Sequence, residues 1–145
     1  MKILLCVDES KFSQAALDAV LAEFRPQSTQ VRVLHVLQPV SFAPPPQMAA
    51  QYAPELEEEG KRARELVERA AKTLQAAGFQ AESLVEKGDI RVRIIDTASE
   101  WKADLIVIGS HGHSGIPRLL LGSRAEFVAR NANCSVQIVR IATGK

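Results

Sequence analysis

Gly109-x2-Gly112-x9-Gly122-Ser123 is the stretch whose residue types and spacing could do chemistry. The branched run Leu105-Ile106-Val107-Ile108 stops abruptly at the first of these glycines, as a buried parallel strand does when it empties into a loop. Glycines in such a loop let backbone approach a ligand closely. Gly122 leads directly into Ser123, where a helical pattern begins. A helix N-terminus aims N–H groups at an anion, so the simplest ligand for this cradle is a polyphosphate.

The side chains around the cradle leave alternatives open. Ser123-Arg124-Ala125-Glu126 matches a capping box, with Ser123 as cap and Glu126 reaching back. The Ser123 hydroxyl could instead bond a phosphate oxygen, and the N–H groups of residues 123 and 124 serve phosphate in either case. Arg124 could neutralise phosphate charge, whereas Arg118 reads as a surface residue. His111 and His113 fall in what reads as a polar, exposed loop, where histidine either bonds a ligand or is simply solvated. No nucleophile or partner acid can be assigned to them, so no catalytic residue is read. Asp8 ends the apolar run Ile3–Val7, at a strand tip; it either accepts bonds from ribose hydroxyls or acts as a loop or cap aspartate. Only Glu9 accompanies it, a poor start for a metal site.

Those residues are positioned by an alternation of patterns. Strands are predicted over 2–7, 30–37, 80–86, 104–109 and 135–141, and helices over 11–25, about 54–77, from Gly88-Asp89 to Trp101, and about 123–132. Ser10 stands where it would cap the first helix. In the second helix Leu56, Ala63, Val67, Ala70, Leu74 and Ala77 share a face, and the other face sets Glu57, Glu58, Glu65 and Glu68 each four residues before a Lys or Arg. That charge run is a solvated face rather than a binding patch. Trp101 reads as core or core rim. Residues 38–54 hold five of the seven prolines and read as a loop, expected to be mobile. Strict strand–helix alternation implies an α/β fold, a parallel sheet with helices on both faces, and a ligand site beyond the C-terminal strand ends.

Composition narrows the function class. A length of 145 residues, 46% of them hydrophobic, suits one domain over residues 1–145 with a sizeable core. Eighteen basic against 17 acidic residues leave a net charge of +1, which gives no field for nucleic acid or an anionic membrane. Only five residues separate Lys2 from Asp8, too few for a signal peptide, and no apolar run approaches the roughly 18–20 residues of a membrane span. A cytoplasmic protein is expected. Cys6 and Cys134 lie in apolar runs and read as buried, reduced thiols. There is no Gly-x4-Gly-Lys-Ser/Thr, and the glycines after the fourth strand space as Gly-x2-Gly-x2-Gly, so neither a P-loop hydrolase nor a dinucleotide-dependent dehydrogenase is indicated.

Taken with Met1-Lys2-Ile3-Leu4-Leu5-Cys6-Val7-Asp8 at the start and Asn133-Cys134-Ser135-Val136-Gln137-Ile138-Val139 at the end, the glycine signature resembles that of the universal stress protein family, over nearly the whole chain. That family often has proline after the cysteine; here Ser135 stands there. The resemblance implies a Rossmann-like five-stranded sheet in the order 3-2-1-4-5. It implies bound ATP, with Mg2+ held through the phosphates. Asp8 and Gly109 would lie at the ribose, Val36 would read adenine through its backbone, and Gly112, Gly122, Ser123 and Arg124 would lie at the phosphates. His111 lies inside the signature. The expected function is a stress-response regulatory protein that senses or sequesters adenine nucleotide. The alternative is an interaction module of the same fold with a vestigial site. No dedicated enzyme is expected, though slow ATP hydrolysis is left open. The apolar strand Ser135 to Ile141 at the sheet edge, with the resemblance, points to a homodimer through that strand.

Overall fold

Five strands form where the strand–helix alternation predicts them. The computed structural model describes residues 1–39, 46–112 and 121–141. Strands β1 (Lys2–Cys6), β2 (Gln30–Leu37), β3 (Gln80–Lys87), β4 (Leu105–Gly109) and β5 (Ser135–Val139) alternate with helices α1 (Lys11–Glu23), α2 (Ala49–Ala76), α3 (Ile90–Trp101) and α4 (Ser123–Asn131). They build one parallel sheet in the expected order, β3-β2-β1-β4-β5.

The central strands are buried on both sides, and period-two alternation divides their side chains. Ile3, Leu5, Val31, Val33, Leu105 and Val107 face α1 and α2, where Ala16, Leu17, Val20, Val67 and Leu74 meet them. Leu4, Leu34, Ile106 and Ile108 face α3 and α4, against Ile94, Ala98, Ala125 and Val128. Full burial of one such side chain contributes roughly 1.5–3 kcal/mol. Truncating Leu4 or Leu5, each fully buried in the middle strand, would leave a cavity on one face and cost about 2–5 kcal/mol. Trp101 sits at the rim of the second cluster, with the Arg32 guanidinium 4.5 Å from its ring centroid and Lys2 Nζ at 5.4 Å.

Local signals set most helix ends. The Ser10 hydroxyl accepts from the Ser13 N–H at 3.3 Å and caps α1. The Asp89 carboxylate accepts from the Val92 N–H at 3.1 Å and caps α3. After α2, Gly78 takes φ +97°, the left-handed turn that stops a helix.

The expectations for α2 and β5 need correction. Helix α2 starts at Ala49, not near residue 54, and runs through Pro54. Ala49-Ala50-Gln51-Tyr52-Ala53 includes three alanines, strong helix formers, and a proline in the second turn removes only one backbone bond at a solvated end. Its Leu56 is 50% exposed rather than on the core face. Strand β5 ends at Val139, not residue 141, because its partner β4 ends at Gly109; the Ser110 N–H donates to the Val139 carbonyl, and among the described residues no strand continues alongside Arg140 and Ile141. The acid–base spacing on α2 closes no ion pair within 4 Å among the described residues, so that face is solvated charge.

Candidate functional site

The site lies where strand order reverses, between β1 and β4 at their C-terminal ends. A single cleft there collects Asp8, Val36, Gly109, His111, Gly112, Gly122, Ser123 and Arg124, all eight residues singled out in the sequence. Its free space is about 900 Å³, open mouth included. His113 and Arg118 lie outside the described residues.

Asp8 lies two residues past the end of β1 and is held from behind. Its Oδ1 accepts from the Ser10 N–H at 2.9 Å and the Ser13 hydroxyl at 2.8 Å, while the Ser13 oxygen accepts from the Asp8 N–H at 2.7 Å. The other oxygen, Oδ2, lies 3.4 Å from Arg124 Nη1. Ser10, not Asp8, caps α1, so the carboxylate is presented to the cleft rather than spent on the helix. Ser13 was not picked out from sequence; an isolated serine one turn into an amphipathic helix carries no signal of this role.

The three glycines are explained by space rather than by backbone conformation, since none of them has positive φ. A Cβ on Gly109 would lie 2.8 Å from the Phe12 carbonyl oxygen, so this glycine lets β4 pack against α1. A Cβ on Gly122 would lie 2.9 Å from the Ser110 carbonyl oxygen, to which the Gly122 N–H itself donates at 2.7 Å. Gly112 differs: its Cβ would lie 3.1 Å from both Arg124 Nη1 and Asp8 Oδ2, in the space a ligand would use.

His111 departs from expectation. It is 8% exposed, not a solvated loop residue. Its ring packs 5.1 Å from that of Phe12, and its Nδ1 lies 3.1 Å from the buried Ser110 hydroxyl. The cause is α1, which closes over the loop from the far end of the chain. Ser123 also differs from the capping-box reading. Gly122 is the N-cap residue, with φ −69° and ψ 153°, and no side chain caps the helix. Ser123 is the first helical residue, so its hydroxyl is not used as the cap, and Glu126 pairs with Arg130 at 3.0 Å instead. The N–H groups of Ser123, Arg124 and Ala125 belong to the first turn and have no intrahelical acceptor. With the Arg124 guanidinium they make this end of the cleft a site for an anion.

The opposite end is apolar, walled by Cys6, Leu34, Ile90, Ile94 and Ile108. Ile90 and Ile94 are one turn apart on α3. Burial pushes the Cys6 thiol up to about 12, so it stays protonated and serves as wall rather than nucleophile. Cys134, partly buried, is also raised, by burial first and by the Asp104 charge second. Between the two ends lies the Val36 backbone. The Leu34 carbonyl accepts from the Val7 N–H on the β1 side, and the Leu37 carbonyl accepts from the Gly88 N–H on the β3 side. Strand alternation therefore turns the Val36 N–H and carbonyl toward β1, past the point where β1 has ended. The arrangement suits an elongated ligand: a flat apolar ring at one end, hydroxyls near Asp8, and negative charge at α4.

Comparison with known proteins agrees with this geometry. The universal stress protein family model matches residues 1–140. Universal stress protein YxiE of Bacillus subtilis is 31% identical over 145 residues, covering 96% of this chain and 98% of its own. Sll1388 of Synechocystis is 30% identical over 152 residues, covering 96% and 97%. Among solved structures, that of MJ0577, from Methanocaldococcus jannaschii, has a TM-score of 0.85 at 27% identity over 99% of this chain and 97% of that one. A universal stress protein in complex with cAMP has a TM-score of 0.66 at 26% identity over 97% and 96%. With strand order, signature spacing and near full-length matches in agreement, the chain belongs to the universal stress protein family.

Proposed function

We propose that the cleft binds an adenine nucleotide, ATP in particular, and that the protein is a cytoplasmic stress-response regulator which senses or sequesters it. One observation carries the reading: residues from the ends of β1, β2 and β4 and the start of α4 converge on one cleft that is apolar at one end and cationic at the other. On this reading adenine enters between Ile90, Ile94 and Ile108 and meets the Val36 backbone. The ribose hydroxyls donate to Asp8 Oδ2. The phosphates take the first-turn N–H groups of α4, the Ser123 hydroxyl and Arg124, with Gly112 leaving room for them. Mg2+ would be held through the phosphate oxygens. The similar protein solved with cAMP supports an adenine nucleotide of some kind in this fold.

Arg124 then has two partners in turn. It rests against Asp8 at 3.4 Å, a long contact, and a phosphate oxygen at the start of α4 would offer it a charge-assisted bond. We read no turnover into the site, because His111 is enclosed by Phe12 and the Ser110 hydroxyl at its Nδ1 is itself buried. Nucleotide released by denaturing the purified protein, identified by mass spectrometry, tests the proposal together with thermal unfolding in Mg-ATP against Mg-GTP. Adenine nucleotide in the released fraction or an adenine-selective rise in Tm is expected. Neither appearing with any adenine nucleotide would refute it.

A further inference from the structure

His35 lies next to Val36 on β2, but its side chain alternates to the other face of the sheet, beside Glu9 and, from α2, Glu59, Arg62 and Leu66. Its Nδ1 is 2.8 Å from the Val7 carbonyl oxygen. A carbonyl can only accept, so Nδ1 carries the proton and donates. This bond stands where the sheet ladder should continue. The Val7 N–H donates to the Leu34 carbonyl, and in a parallel ladder the Val7 carbonyl would next accept from the Val36 N–H. Among the described residues that bond is not made, and β1 ends at Cys6. The imidazole has taken the acceptor.

We infer that His35 is a positioning residue for ligand recognition: by occupying the Val7 carbonyl it halts the β1–β2 ladder and leaves the Val36 N–H to the ligand. The same bond pins the residue before Asp8, so one imidazole bonded to backbone sets both the edge that meets the base and the approach to the carboxylate. The consequence for binding rests on the nucleotide reading; the consequence for the Val36 amide does not.

The test uses the whole protein and three readouts. In His35→Leu the Val7 carbonyl loses its donor and recruits the Val36 N–H, so hydrogen exchange at the Val36 amide slows at least about tenfold. His35→Asn, whose amide N–H can reach the same carbonyl, restores the wild-type rate. Calorimetry then compares AMP with ribose 5-phosphate. His35→Leu weakens AMP by about five- to tenfold, the loss of one hydrogen bond, and leaves ribose 5-phosphate unchanged. An unchanged Val36 amide in His35→Leu overturns the inference, as does equal weakening of both ligands, which would mark a merely structural role. The wild type alone gives a further check should His35→Leu not fold. Nitrogen-15 spectra of the imidazole must report the Nδ1–H tautomer, and the Nε2–H tautomer would overturn the inference. If neither ligand binds the wild type, the nucleotide reading fails, and amide exchange and tautomer still decide the role of His35.

Discussion

Replacing Arg124 by glutamine separates the two tasks that its guanidinium performs. In the ligand-free protein it pairs with Asp8 Oδ2 at 3.4 Å, with side chains 31% and 13% exposed. A pair that long and that solvated contributes about 0–1 kcal/mol, so unfolding should shift by a few degrees at most. Toward a phosphate the same group makes charge-assisted bonds, worth about 1.5–3 kcal/mol when a charged partner is bound. Partial exposure places the expectation at the low end, and 1.4 kcal/mol is a tenfold change, so ATP should bind about ten- to thirtyfold more weakly. With a wild-type Kd near micromolar, millimolar ATP would stabilise the fold by about 4 kcal/mol, falling to about 2–3 kcal/mol in the variant. Titration calorimetry with ATP and with adenosine isolates the phosphate contribution. Adenosine should bind wild type and Arg124→Gln alike, and the ATP difference should shrink at high salt. Equal losses for ATP and adenosine, or no loss for ATP, would show that the phosphates do not lie at α4.

The two glycines at the ends of the signature's first gap should part company. Gly112→Ala crowds Arg124 and Asp8 and should weaken ATP binding while leaving the Tm near wild type, whereas Gly109→Ala strikes the backbone of Phe12 and should cost about 1–3 kcal/mol of stability in denaturant unfolding. The Cys6 thiol is held near 12 in the fold against an ordinary 9.0, so its contribution is fully present below pH 9 and is lost as pH rises toward 12; Cys6→Ala should flatten that alkaline fall in stability. Steady-state ATP hydrolysis should stay below about 1 per second, and a faster rate abolished in His111→Ala would make that histidine catalytic. At the sheet edge, the Val139 carbonyl faces β4, so the N–H groups of Val136 and Ile138 point outward; Ile138→Pro should dissociate a homodimer built on that edge, as read by sedimentation, without breaking the β4–β5 ladder.

What was legible in the sequence was whatever one segment decides for itself. The β1 and β4 runs read as buried strands because a strand covered on both faces has no polar alternation to hide it, and Asp8 and the glycines then fall at their ends by counting. What was not legible depends on a partner elsewhere in the chain. His111 reads as a loop histidine until Phe12 covers it. Strand β5 looks seven residues long, and it is cut to Ser135–Val139 only because β4 stops at Gly109. Pro54 reads as a helix start in isolation, yet α2 begins at Ala49, and in its second turn the proline removes a single backbone bond. Ser13 and His35 were invisible for a stronger reason. Each acts on the site through a group it bonds, the Asp8 carboxylate in one case and the Val7 carbonyl in the other, so neither belongs to the signature. A residue that touches a ligand leaves its mark in spacing along the chain. A residue that holds such a residue in place leaves its mark only in the distances of the folded molecule, and that is why His35, rather than another glycine, is where the structure adds to the sequence.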